Sequence, residues 1–204
     1  MEIFIENPCL EEELIEQRKA WGVDQHDEVW EGVYFIPPMA NDDHQDLVLE
    51  FATVLRTIVS KTGLGKVRPG VNLAASTEDW AQDYRVPDVV AFLVDTAAKN
   101  HNAFWTGAAD FIIEITSPRD RTYEKIAFYS RIGVRELLIF NRQSWALELY
   151  RHQYGTLQKV GESTLARPEV LSSEMLPLEF WLIPGAERPS VEVRHKITCE
   201  RWVI

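Results

Sequence analysis

Apolar and polar positions along the chain change period several times, and each change marks an element. From Glu11-Glu12-Glu13-Leu14-Ile15 onward a short helix is predicted over about 11–20. Val29-Trp30-Glu31-Gly32-Val33-Tyr34-Phe35-Ile36 then reads as two short strands turning at Glu-Gly, stopped by Pro37-Pro38. Over 42–61, Leu47, Val48, Phe51, Val54, Leu55, Ile58 and Val59 recur at three- and four-residue spacing, the stripe of a helix buried along one side. Asn41 or Asp42 can cap that helix. Asp43 and Asp46 suit its first turn, and Gly63 and Gly65 end it.

Beyond Gly65 the pattern becomes strand-like, at about 66–74, 86–94 and 110–116. Ser117-Pro118-Arg119-Asp120 leads into a helix at about 121–132, with Ile126, Tyr129 and Ile132 on one face and Gly133 as its stop. Glu136-Leu137-Leu138-Ile139-Phe140 is the kind of apolar run that a sheet buries on both faces. A turn at 141–144 opens a strand over 145–151, and shorter strands punctuated by Gly155 and Gly161 follow. Helix, strands, helix, strands predicts an α/β or α+β domain around one mixed sheet.

The 204 residues suit one domain. No run approaches the ~20 apolar residues of a membrane span, so no membrane association is expected. An acidic start, Met1 to Glu6, stands where a secretory signal would be basic. Cys9 and Cys199 are too few for a disulfide framework or a zinc cluster, and the expected compartment is the cytoplasm. The net charge of -11 argues against a nucleic-acid partner until its distribution is considered. Residues 1–50 hold 14 acids against Arg18 and Lys19, while the other 154 residues carry a net +1. Segment 119–151 holds seven basic residues against four acids, which is either a basic face or ordinary solvated surface.

Two carboxylates stand in apolar strands: Asp88 after Pro87, and Glu114 within Phe111-Ile112-Ile113-Glu114-Ile115. Burying an unpaired carboxylate is costly, so each needs a partner or a cation. Together they offer hard oxygen ligands of the kind Mg²⁺ takes. A buried arginine beside Glu114 would be the structural alternative. Lys125 follows Glu114 by 11 residues, one turn into the next helix, where it could orient a water or support charge on a phosphoryl group. Otherwise it would be an exposed lysine paired with Glu124 or Asp120.

Val86-Pro87-Asp88-Val89-Val90, Asp110 to Pro118, and Tyr123 to Ile139 resemble the Uma-two family of restriction-endonuclease-like proteins, in the PD-(D/E)XK nuclease superfamily. Upstream, Glu28 to Tyr34 and Asp42-Asp43-His44-Gln45 continue the resemblance, and downstream it reaches Glu174-Met175-Leu176-Pro177, covering about 28–180. It implies a restriction-endonuclease-like mixed sheet flanked by helices, over 28–183, between an acidic helical segment (1–27) and a C-terminal extension (184–204). It further implies Asp88 and Glu114 as ligands of Mg²⁺ or Mn²⁺. The superfamily's lysine would fall at Thr116; the family pattern moves it to the following helix, here Lys125. His44 corresponds to the family's helix-start histidine, beside the metal or the scissile phosphate, and Glu31 is a weaker candidate.

The expectation is therefore metal-assisted phosphodiester hydrolysis of nucleic acid, DNA in the first place, by a chain that could work as a homodimer. A non-catalytic binding module is the alternative, with the acidic N-terminal block and the apolar segments 181–183 and 202–204 as interaction surfaces. A small-molecule hydrolase would use the same carboxylates, but the chain lacks a phosphate loop, a Gly-x-Ser-x-Gly and a His-Glu-x-x-His.

Overall fold

A computed structural model describes residues 8–37, 40–118 and 121–204. The acidic start, the proline at 38, Arg119 and Asp120 lie outside the described residues. Helix α1 (Pro8–Trp21) precedes a hairpin of β1 (Glu28–Trp30) and β2 (Val33–Phe35). Glu31 and Gly32 turn it with φ of 51° and 85°, the paired positive values that a tight hairpin turn matching strand twist requires. Arg18 of α1 donates to both oxygens of Asp27 and to the Val23 carbonyl, fastening the helix to the hairpin.

Helix α2 (Asp42–Leu55) is capped by Asn41, whose side chain accepts from the His44 amide at 3.1 Å. Its apolar stripe continues past Leu55, but the chain widens into a π turn over Arg56–Ser60 that buries Ile58 and Val59. At that point the Thr57 hydroxyl donates to the Thr53 carbonyl, a side-chain bond that competes with the regular helical ladder.

Strands β3 (Gly65–Pro69) and β4 (Leu73–Ala74) divide the predicted run 66–74 between two sheets. Positive φ at Gly70 makes the break. Next come β5 (Tyr84–Arg85), β6 (Val89–Leu93), β7 (Lys99–Asn100), β8 (Trp105–Thr106) and β9 (Phe111–Ile115). A 3₁₀ turn at Thr122–Glu124 leads directly into α3 (Lys125–Arg131). After it run β10 (Glu136–Asn141), β11 (Ala146–Gln153), β12 (Thr156–Thr164) and β13 (Leu171–Ser172), then β14 (Leu178–Ile183), β15 (Ser190–His195) and β16 (Arg201–Val203).

The principal sheet has the order β12-β11-β10-β9-β6-β3. Within it β9 and β10 are parallel, connected through α3, and the other neighbours are antiparallel. This mixed α/β sheet has apolar residues on both faces. One face packs against α2, the π turn and the β13-β14-β15-β16 sheet, with Leu47, Phe51, Phe140 and Phe180 at its heart. The other carries α3 and the short-strand sheet, through Val90, Ile112, Tyr129 and Leu137. Residues 184–204 supply β15 and β16, and Leu182, Val191, Val193 and Ile204 are buried in the first core. Much of the apolar tail therefore faces inward. Glu136, fully buried at the start of β10, accepts from Arg151, Ser173 and the amides of Glu174 and Met175, so it orders the 173–176 loop. Among the described residues no helix is long and apolar enough to cross a membrane.

Phe140 meets Phe51 edge-on at 6.5 Å and Trp145 at 5.9 Å, in a fully buried position. Phe140→Ala is expected to cost about 3–5 kcal/mol in urea unfolding, whereas Leu49→Ala, on the exposed side of α2, should stay within about 0.5 kcal/mol.

Candidate active site

Alternation along β9 sends Phe111, Ile113 and Ile115 to the α2 face and leaves Glu114 on the α3 face beside Ile112. Glu114 is 2% exposed. Asp88 sits immediately before β6, the neighbouring strand, and its Oδ2 accepts from the Ile115 amide at 2.7 Å. The backbone of β9 thus holds one carboxylate next to the other.

Lys125 opens α3, and its Nζ lies 3.3 and 3.5 Å from the two oxygens of Glu114. One turn later, Tyr129 donates its hydroxyl to Glu114 Oε1 at 2.5 Å, so a single face of α3 delivers both groups. A third carboxylate comes from the hairpin. Glu28 Oε1 is 2.8 Å from Lys125 Nζ and accepts from the Val86 amide at 2.7 Å, while Oε2 accepts from the Trp30 indole at 2.7 Å. His44, in the first turn of α2, reaches across with Nε2 3.0 Å from Asp88 Oδ1 and Nδ1 3.1 Å from Ser117 Oγ.

Five elements, β1, α2, the start of β6, β9 and α3, therefore meet at one end of the sheet. Asp88, Glu114, Lys125 and His44, singled out in the sequence, lie together. Glu31 does not join them: it is exposed in the hairpin turn and pairs with Arg131 at 3.0 Å. Glu28 escaped sequence reasoning. Its only signal is that it precedes Trp30 by two residues and so shares that residue's side of a strand. Tyr129 was legible only as a core position, although its four-residue spacing from Lys125 was visible. Thr116 is committed elsewhere, accepting from the Arg142 amide at 2.9 Å.

Three carboxylates around one ammonium leave an excess of negative charge. Burial pushes the Glu114 carboxyl up to about 8; Lys125 and the Tyr129 hydroxyl pull it down, while Asp88 and Glu28 add to the rise. Burial alone would weaken the Lys125 ammonium, but Glu114 and Glu28 outweigh it and raise its pKa. Tyr129 is driven well above its ordinary range by burial and by Glu114, which keeps it a neutral donor. Hard oxygen donors with surplus negative charge suit Mg²⁺ or Mn²⁺, which need only one or two protein carboxylates. Among the described residues no three His, Cys, Asp or Glu side chains are grouped so that together they could hold a metal ion.

Among the described residues, the basic side chains of 121–151 do not form a free cationic face. Arg121 pairs with Glu124, Arg131 with Glu31 and Asp83, Arg135 with Asp110, Arg142 with Asp43, and Arg151 with Glu136 and Glu174.

A carboxyl raised by burial adds stability that is complete below its ordinary value of 4.5 and fades as pH climbs through about 8. In metal-free buffer the Tm of Glu114→Gln, relative to wild type, should therefore rise by a few degrees between pH 5 and pH 8.5. Thermal unfolding at both values checks this; a gap that does not change with pH contradicts it.

Comparison with known proteins agrees with this architecture. The profile of the Uma2 family, described as "Putative restriction endonuclease", matches residues 15–185. The fold is similar to the crystal structure of "a putative nuclease belonging to DUF820" from Anabaena variabilis ATCC 29413, with a TM-score of 0.59 and 17% identity over 74% of this chain and 83% of that one. At that identity the likeness speaks for the fold. Comparison with curated proteins gave no match. Because the family match spans most of the sequence and includes every element that builds the carboxylate–lysine cluster, the chain belongs to the Uma2 family.

Proposed function

We propose that this protein is a divalent-metal-dependent endonuclease that hydrolyses phosphodiester bonds of nucleic acid, with DNA as the expected substrate. The observation that carries the reading is the buried Glu114–Lys125–Glu28 cluster beside Asp88. Other bases that meet two acids, such as Arg131 and Arg151, leave one of them exposed to solvent, whereas here both acids are buried and their charge exceeds what Lys125 offsets.

Asp88 and Glu114 would hold Mg²⁺, which supplies Lewis acidity at a phosphate oxygen and a more acidic water when bound. Lys125 has two roles. Its ammonium, kept protonated by Glu114 and Glu28, donates hydrogen bonds to an attacking water. It also opposes the negative charge that grows on the phosphoryl group. Glu28 aims that ammonium, being itself fixed by the Val86 amide and the Trp30 indole. Tyr129 holds Glu114 in one rotamer from the helix side. His44 braces Asp88 from the α2 side.

One observation favours a second reading, a nuclease-fold module that binds partners without cutting. Lys125 is held by two carboxylates, and the described arginines of 121–151 are all ion-paired, leaving little free positive charge for a phosphate backbone.

Calorimetry with Mn²⁺ and cleavage assays on the same samples separate the two. Asp88→Ala and Glu114→Ala should each abolish binding and cutting. Lys125→Ala should bind Mn²⁺ at least as well as wild type yet cleave about 10²-fold or more slowly. Wild type that neither binds metal nor cuts would leave the module reading in place.

A further inference from the structure

Ser117 has no role in the chemistry described so far, yet it belongs to a chain of contacts that reaches Asp88. Its Oγ lies 3.1 Å from His44 Nδ1, and His44 Nε2 lies 3.0 Å from Asp88 Oδ1. A carboxylate only accepts hydrogen bonds, so Nε2 must carry the hydrogen. Nδ1, on the other side of the ring, then faces the Ser117 hydroxyl, a group that can serve it as donor or acceptor.

The local sequence prepares this contact. Ser117 follows the end of β9 by two residues and precedes Pro118, which confines its backbone to extended conformations. His44 is buried and anchored by its amide to the Asn41 side chain at 3.1 Å. The second Asp88 oxygen is fixed by the Ile115 amide at 2.7 Å. Asp88 is thus held at two points, one from β9 and one through an imidazole whose orientation depends on Ser117.

We infer that Ser117 is a positioning residue: by fixing the ring plane of His44, it holds the Asp88 carboxylate in the orientation that receives a divalent cation. This role rests on the nuclease reading above. Hydrogen-bonding partners behind metal ligands typically change affinity 10- to 100-fold when removed, because the ligand loses its preferred orientation. Removing the hydroxyl would also leave a buried ring nitrogen without a partner, which favours a turned ring.

The test uses the full chain and three proteins: wild type, Ser117→Ala and Ser117→Thr. Imidazole ¹⁵N shifts in the metal-free state report the hydrogen bond from His44 Nε2 to Asp88, and calorimetry with Mn²⁺ reports affinity. Ser117→Ala is expected to lose that hydrogen-bonded signature and to bind Mn²⁺ about tenfold more weakly. Ser117→Thr, which keeps a hydroxyl, should restore the signature and bring affinity to within about threefold of wild type. A Ser117→Ala protein with the wild-type His44 signature and wild-type affinity overturns the role of Ser117 alone. Wild type that binds no Mn²⁺ overturns the nuclease reading, and this role with it.

Discussion

A carboxylate buried on a central strand of the principal sheet dictates much of this structure. Glu114 stands on β9 between apolar neighbours and is almost wholly removed from water. Left alone it would cost several kcal/mol as an ion. The chain answers with a lysine at the start of the crossover helix, a tyrosine one turn later, and a second acid on the hairpin that grips the lysine from behind. The parallel β9–α3–β10 unit places α3 where Lys125 and Tyr129 can both reach Glu114. The hairpin must in turn lie against that helix, or Lys125 loses its shorter ion pair.

The same arrangement sets the Lys125 cluster apart from the other ion pairs. Arg131, Arg151 and Lys159 also meet two acids each, but one acid of each pair is exposed, whereas both acids on Lys125 are buried. Around Lys125 the acids outnumber the base, and the mismatch is absorbed by raising the Glu114 carboxyl toward its protonated form. Such a compromise lowers stability near neutral pH. Sites that must receive a cation commonly accept that cost.

Much of this was legible in the sequence because the relevant signals are local. An acid inside Phe-Ile-Ile-Glu-Ile announces a buried carboxylate, and the stripe from Leu47 to Val59 announces its helix. Lys125 was identifiable from its 11-residue offset across a Ser-Pro turn. Glu28 was not, since its meeting with Lys125 spans 97 residues and depends on how the hairpin lies on α3. The contact between Ser117 and His44 is equally nonlocal, at a separation of 73. Charge counting left 119–151 open between a basic face and solvated surface for a similar reason: most acid partners of its described basic residues come from other elements. The run 66–74 read as one strand because periodicity does not register the positive φ of Gly70 that sends its end into another sheet.

The central claim is that surplus negative charge around Lys125 is stored partly as a proton on Glu114 until a divalent cation replaces it. The most direct measurement is calorimetric titration of wild type with Mn²⁺ at pH 7, in two buffers of different ionisation enthalpy. The account predicts release of about one proton per ion bound, falling toward zero by pH 9.5, because metal ligation requires the ionised carboxylate. Binding without proton release at pH 7, or no binding at all, would contradict it.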